Sequence, residues 1–356
     1  MPQGFYLAGA LAQEGFAVTY CGNRVPSTFS DSNNLKDIKV KLIPLLPLII
    51  KTKWQNPVNW LAGLLVGLKG YDIVIGVDNQ GFVPAYFLKR AGATRKLVGY
   101  FLEYNSPRES PFSLATRLTG LFGKYSDIIL DVEKTRLSFR KAWMGFSCPS
   151  FLVKNVPPYF GSPELKKPHH QSLRRDLAVL YQGHIGAENC LEELIQGVIA
   201  CDFPIRLTLA GTGSPTYLER LQRLYEPYFQ AKIVSYAGFL ERARLKDLFG
   251  EHDLGVAFYS DKFGPNNYWC VPNKLFEYLS FNLPVVCSKN PSLTFVEREG
   301  IGLTVNTDNV PEISGAFKRF HSDRGMLLAM KKKCRQLFAQ KYNYETQIRP
   351  FIKMLA

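Results

Sequence analysis

Acidic side chains are scarce in this sequence. Asp and Glu number 30 against 44 Lys and Arg, which leaves a formal charge of +14 over 356 residues. A surplus of that size points to anionic partners, meaning phosphates, nucleic acid or a membrane surface. No recognisable nucleic-acid module accompanies it, which removes that class. Long apolar runs are absent too. The most apolar stretch, residues 42–50, is broken by Pro44 and Pro47 and falls far short of the ~20 residues a membrane span needs. The opening Met-Pro-Gln-Gly-Phe lacks the basic flank and apolar core of a secretory signal. The seven cysteines (Cys21, Cys148, Cys190, Cys201, Cys270, Cys287 and Cys334) include no Cys-x-x-Cys pair and no His at zinc-ligand spacing. They read as reduced thiols of a cytoplasmic protein, not as a disulfide framework or metal site.

What is present is ordinary globular composition, 46% hydrophobic and 21% charged, in a chain long enough for two domains. Short β-branched runs alternate with amphipathic segments almost to the end, the mark of parallel βαβ units. Strands are expected at 17–22, 38–44, 72–77, 96–101 and 127–132, with helices at 81–90, 111–125 and 133–144. A Pro/Lys/His-rich stretch at 157–175 interrupts the rhythm and reads as a linker. The alternation resumes with strands at 178–182, 206–210, 234–238, 254–259, 283–287 and 302–306. Helices are expected at 191–201, 216–226, 243–251 and 273–281, and the tail from 311 is helical in pattern. The chain opens in what reads as the first helix, residues 5–13, with 17–22 as the second strand. The strand that should precede that helix is missing: either the natural start lies upstream or the domain is shortened.

The most informative segment is 271–286, Val-Pro-Asn-Lys-Leu-Phe-Glu-Tyr-Leu-Ser-Phe-Asn-Leu-Pro-Val-Val. It reads as a loop, a helix opening near Pro272 or Asn273, a turn and a buried strand. Proline suits the first helical turn, Asn273 can cap, and the free amides there form a phosphate site. Lys274 adds a full positive charge beside them. Glu277, one turn on and on the same face, can accept both hydroxyls of a ribose. One helix start therefore offers a phosphate grip and a ribose grip at nucleotide spacing.

The block Pro-Asn-Lys-Leu-Phe-Glu-Tyr-Leu followed by Leu-Pro-Val-Val resembles the donor-binding helix of GT-B glycosyltransferases, in particular the retaining family four (glycosyl transferases group 1). The resemblance covers nearly the whole chain. Residues 180–189, Leu-Tyr-Gln-Gly-His-Ile-Gly-Ala-Glu-Asn, look like the first strand and loop of the C-terminal domain. Residues 209–214, Leu-Ala-Gly-Thr-Gly-Ser, resemble the second strand and its glycine turn, and 236–240, Tyr-Ala-Gly-Phe-Leu, the segment that meets the base. The match implies two Rossmann-like domains facing each other across a cleft: an acceptor-binding domain at 1–156, the linker at 157–175 and a nucleotide-sugar domain at 176–335. A helix at 336–356 would pack back on the first domain. It further implies Glu277, Lys274 and His184 at the reacting end of the donor. Gly183, Asn189, Gly211, Gly213, Phe239, Leu240, Asn273 and Phe276 would lie around the nucleotide.

Two positions depart from the family pattern. The arginine and lysine that neutralise the diphosphate are replaced by His184 and Asn189, leaving Lys274 to supply the charge. Trp269 stands where the first glutamate of the family's spaced pair would fall, so Asn266 and Asn267, with the amides of their loop, are candidates to hold the sugar. That loop could equally be a plain surface turn. The resemblance implies a UDP- or GDP-linked hexose, transfer with retention, and no cofactor. With no Asp-x-Asp motif, no metal is expected.

Acceptor candidates sit at strand ends of the first half, Asp78 in Asp-Asn-Gln-Gly and Glu103 in Glu-Tyr-Asn. Turn capping accounts for Asp78 equally well. Residues 38–70 mix apolar runs, Trp54 and Trp60 with Lys39, Lys41, Lys51, Lys53 and Lys69, a composition suited to an anionic headgroup layer. A buried strand and helix joined by a basic loop would read the same way. The functional expectation is a cytoplasmic, membrane-peripheral enzyme acting on a cell-envelope polysaccharide or lipid-linked glycan. The alternatives are a non-catalytic glycosyltransferase-like scaffold and a sugar-nucleotide epimerase.

Overall fold

The computed structural model describes residues 3–22, 40–44, 55–108, 110, 112–159, 176–240 and 242–355. Most of the expected linker, and with it Lys39, Lys51, Lys53 and Trp54, lies outside those residues. The chain divides into two compact units, Met1–Asn155 with Tyr344–Ala356, and Val156–Asn343.

The first unit runs α1 (Gln3–Gln13), β1 (Val18–Gly22), β2 (Val40–Pro44), α2 (Gln55–Gly67), β3 (Tyr71–Val77), α3 (Asp78–Arg90), β4 (Thr94–Phe101), α4 (Leu114–Phe122), β5 (Ile128–Asp131), α5 (Lys134–Met144) and β6 (Ser150–Leu152). Strands β3 to β6 form one parallel sheet in chain order, and β1 pairs with β2 in a separate parallel sheet. A doubly wound order would set a strand before α1 between β1 and β3. Among the described residues no strand does so, and the sheet is in two pieces. Helix α4 starts where the Ser113 hydroxyl accepts the Thr116 amide, and α5 where Glu133 accepts that of Arg136. Helix α3 begins at Asp78, directly off β3, instead of at 81 as the sequence pattern suggests.

The second unit runs β7 (Leu177–Gln182), α6 (Leu191–Ile199), β8 (Ile205–Ala210), α7 (Pro215–Leu224), α8 (Glu226–Gln230), β9 (Val234–Gly238), α9 (Arg242–Gly250), β10 (Leu254–Ala257), α10 (Pro265–Tyr268), α11 (Asn273–Ser280), β11 (Val285–Ser288), α12 (Phe295–Arg298), β12 (Gly302–Val305), α13 (Val310–Ser322) and α14 (Arg324–Gln340). The last helix, α15 (Tyr344–Leu355), belongs to the first unit, where it touches α1 and β6. The strand order β12-β11-β10-β7-β8-β9 is doubly wound, and every pairing is parallel. Strands β7, β10 and β11 are apolar along almost their whole length because helices cover both faces. The order reverses between β7 and β10, and a doubly wound sheet opens its ligand crevice at the carboxyl ends of the strands on either side of such a switch. The expected helix at 216–226 is split into α7 and α8, with Pro227 opening the second.

Candidate functional site

The switch point of the second unit is built around an amine. Lys274 is buried. Its Nζ donates to the Tyr181 hydroxyl at 3.0 Å and to Asn189 Oδ1 at 3.5 Å. The same nitrogen stands over the rings of Tyr181 and Tyr259, 4.1 and 4.9 Å from their centroids. Burial pulls the amine down from its ordinary value to about 7. The two ring faces work against that by favouring the ammonium. Tyr181 donates in turn to the His184 carbonyl, and Asn189 Nδ2 donates to the same oxygen at 3.1 Å. The two groups that hold the amine therefore also fix the His184 backbone. The His184 ring is left mostly exposed, with Nε2 3.4 Å from Glu188 Oε1.

Above the amine the loops leaving β7 and β8 run side by side. Gly183 has φ +144°, and a Cβ there would stand 2.9 Å from Lys274 Nζ. Gly211 has φ +137°, and its Cβ would fall 1.8 Å from the Gly183 carbonyl oxygen. Neither position has room for a side chain or a backbone that favours one. Ile185 and Gly213 continue the contact as a parallel bridge. The loops wall a pocket of about 210 Å³ lined by Gln182, Gly183, His184, Gly211, Phe239 and Leu240 among others. Phe239, 71% exposed, forms its outer lip. Lys274 reaches this level because it shares a helix face with Tyr278, one turn on. The Tyr278 hydroxyl accepts the Gln182 amide at 2.8 Å and lies 3.2 Å from the Val256 carbonyl, tying α11 to β7 and β10.

A doubly wound sheet with a glycine-walled pocket and a buried cation at its switch point fits a phosphorylated ligand. Residues 178–323, which span all of this machinery, match the family Glycosyl transferases group 1. This is a glycosyltransferase domain. No curated protein sequence matches the chain. Solved structures align along nearly its full length. HepE of Anabaena, in complex with UDP, has a TM-score of 0.74 at 15% identity, covering 100% of this chain and 96% of that one. Sucrose-phosphate synthase of Thermosynechococcus elongatus has a TM-score of 0.74 at 17% identity, covering 98% and 90%. WaaG, a glycosyltransferase of lipopolysaccharide biosynthesis, reaches 0.65 at 12% identity, covering 99% and 95%. The fold is GT-B, two parallel-sheet α/β units with a helical C-terminus.

Within the glycosyltransferase domain, contacts bring together Gly183, His184, Asn189, Gly211, Gly213 and Lys274, and the pocket adds Phe239 and Leu240. Four expectations need correction. Asn273 is the first helical residue of α11, behind Pro272, and that end has no side-chain cap. Phe276 presents no surface to a ligand: it is fully buried, with Phe295 and Tyr342 around its ring. Lys274 does not carry an undiminished charge, because burial opposes it. The Asn266/Asn267 loop is neither a plain turn nor an open row of amides. It folds into a short 3-10 turn and α10, and the N–H groups of Asn267, Tyr268 and Trp269 donate back to Gly264 and Pro265. Glu277 and Asn273 share the half-buried face of α11. Tyr181, Tyr259 and Tyr278 escaped the sequence reading, since a tyrosine whose hydroxyl reaches across a sheet leaves no local pattern.

In the first unit, Asp78 and Glu103 meet through the backbone. Asp78 Oδ1 accepts the amides of Leu102 and Glu103 at 2.7 and 3.0 Å. The carbonyls of the same two residues accept from Arg136 at 3.3 Å and from the fully buried Arg140 at 3.0 Å. Arg140 is itself paired with Asp131 at 2.7 Å. Asn79 Nδ2 adds a bond to the Asn105 carbonyl at 3.1 Å. The 102–105 loop at the end of β4 is therefore held by charged and amide groups from two elements, α3 and α5. Burial raises the Asp78 carboxyl to about 6, partly offset by the two amides. Its φ of +52° is a conformation in which aspartate and asparagine are over-represented.

Proposed function

We propose that the chain transfers a hexose from a UDP- or GDP-linked donor to a cell-envelope polysaccharide or lipid-linked glycan, with retention at the anomeric carbon, at the cytoplasmic face of a membrane. The observation that carries this reading is the placement of Lys274 Nζ directly under the Gly183 turn. A diphosphate lying on that turn would meet the amine, the amides at the start of α11 and the exposed His184 ring together. HepE crystallised with UDP has the same fold, and that supports a nucleotide in this pocket. Glu277 would accept the ribose hydroxyls, Phe239 and Leu240 would flank the base, and Asn266 and Asn267 would meet the sugar through their side chains.

In the reaction, the bond from the anomeric carbon to the diphosphate oxygen breaks and a bond to the acceptor oxygen forms on the same face. The departing diphosphate oxygen takes the acceptor's proton. The protein's part is positioning and neutralisation of charge on the leaving group. Lys274 and the helix amides supply that neutralisation without a metal ion. Asp78 and Glu103 would bind acceptor hydroxyls in the first unit.

The test is calorimetric titration of UDP, GDP and ADP into wild type and Glu277→Ala. One nucleotide is expected to bind preferentially and to weaken at least about tenfold in the variant, the loss of a charge-assisted hydrogen-bond pair. A folded wild type that binds none of the three overturns the donor site and leaves a non-catalytic scaffold.

A further inference from the structure

Two helices of the first unit are packed inside out. Helix α2 meets α3 through glycine: a Cβ on Gly67 would stand 2.1 Å from Leu88 Cδ1, and one on Gly63 would be 3.7 Å from Pro84 Cβ. Leu61 and Leu65 on the helix, and Leu68 just past its end, point away, exposed by 58, 60 and 61%. Helix α4, on the other side of α3, repeats the pattern. It buries Ala115, Thr116 and Thr119, and Gly120 lies against the Trp143 ring. Leu114 and Leu121, two turns apart, are 59 and 60% exposed, and Phe112 just before the helix is 98% exposed. A helix in a water-facing layer hides its leucines and displays its polar residues. Here small residues, joined by Phe122 at the end of α4 stacked on Tyr86, make the protein contact and leucines face outward, as in helices whose outer solvent is lipid.

Charge selects the occupant. Residues 55–70, 79–95 and 112–125 contain no Asp or Glu, whereas Lys69, Lys89, Arg90, Arg95, Arg117 and Lys124 all fall in them. Lys89 and Arg95 pair with Asp127 and Asp72, which lie outside these segments. A second copy of the chain would set one cationic face against another. An anionic bilayer matches both features, with leucines entering the acyl boundary and cations meeting the headgroups.

We infer that the face formed by α2, α3 and α4 docks on an anionic lipid bilayer, in the plane of its headgroups. This deepens the reading of a lipid-linked acceptor by naming the surface that brings the enzyme to it. Docking needs no turnover, so its failure and that of the donor site can be told apart. The test is co-sedimentation of the full chain with vesicles of phosphatidylglycerol and phosphatidylcholine, against vesicles of phosphatidylcholine alone. Wild type should bind the anionic vesicles and be released by salt. The variants Leu61→Ser/Leu65→Ser/Leu68→Ser and Leu114→Ser/Leu121→Ser should each bind at least about tenfold more weakly, the scale expected for several leucines withdrawn from an interface. Arg117→Gln/Lys124→Gln should lose the preference for anionic lipid. Unchanged far-UV circular dichroism and thermal midpoint in all three variants would show that they are folded, whether or not a nucleotide binds. Wild type left in the supernatant, or variants that sediment as well as wild type, would overturn the inference. So would a wild-type dimer in analytical ultracentrifugation that the leucine substitutions dissolve, since the face would then belong to self-association.

Discussion

Lys274 Nζ donates to the hydroxyl of Tyr181 at 3.0 Å, joining α11 to β7, a strand at the centre of the sheet. The bond holds an amine that burial alone would discharge near neutral pH, beneath the pocket walled by the Gly183 and Gly211 loops.

Proton linkage should be visible at this group. The folded-state value of Lys274 is about 7, below the ordinary 10.5. Between those values the unfolded chain binds the extra proton, so this group's contribution to stability rises with pH through that window and is lost as pH falls through 7. An anionic diphosphate favours the ammonium, so UDP binding should take up protons at pH 8 and weaken from pH 7 to 9. Calorimetry in buffers of different ionisation enthalpy measures the uptake, and Lys274→Met should abolish it.

Gly183→Ala should separate binding from folding. The new methyl group would be strained at φ +144° and would crowd the amine, but the amine is the far end of a flexible side chain, so the thermal midpoint should fall while the fold survives. Nucleotide affinity should drop by about tenfold or more, as displacement of a charge-assisted contact implies. Gly211→Ala meets a backbone carbonyl instead, and its thermal midpoint should fall much further. Equal melting of the two variants would contradict this picture.

Tyr278→Phe tests how α11 is fastened. Removing the hydroxyl leaves the Gln182 amide and the Val256 carbonyl without that partner in a buried setting. The expected loss of stability is about 1–3 kcal/mol. Chemical denaturation reads it directly, and nucleotide affinity should fall too because Lys274 rides on the same helix face.

In the first unit, Asp78→Asn keeps an acceptor oxygen for the Leu102 and Glu103 amides and tolerates the positive φ. Its stability should stay close to wild type, whereas Asp78→Ala should lose about 1–3 kcal/mol by orphaning both amides. Arg140→Met strands the buried Asp131 carboxylate and should cost about 3–5 kcal/mol. If the asparagine variant also loses transferase activity, the carboxylate acts on the acceptor and not only on its loop.

The sequence by itself determined where the strands and most of the longer helices of the second unit lie, and singled out residues that gather at its switch point. Strand and helix periods differ enough to show where each strand lies, and glycines at 183, 211 and 213 with Lys274 and Glu277 at helical spacing are the pattern expected of a nucleotide site. What only the tertiary structure decided are the partners of those residues. Phe276 and Lys274 stand two apart on one helix, yet one is sealed in an aromatic cluster and the other under a pocket. That difference depends on which element covers each face of α11, which no local pattern encodes. The roles of Tyr181, Tyr278, Arg136 and Arg140 were hidden for the same reason: each acts on backbone or side chains of a different element. The outward leucines of α2 and α4 are the clearest case. An amphipathic helix shows in its sequence that it has two faces, but only packing decides which face the protein keeps.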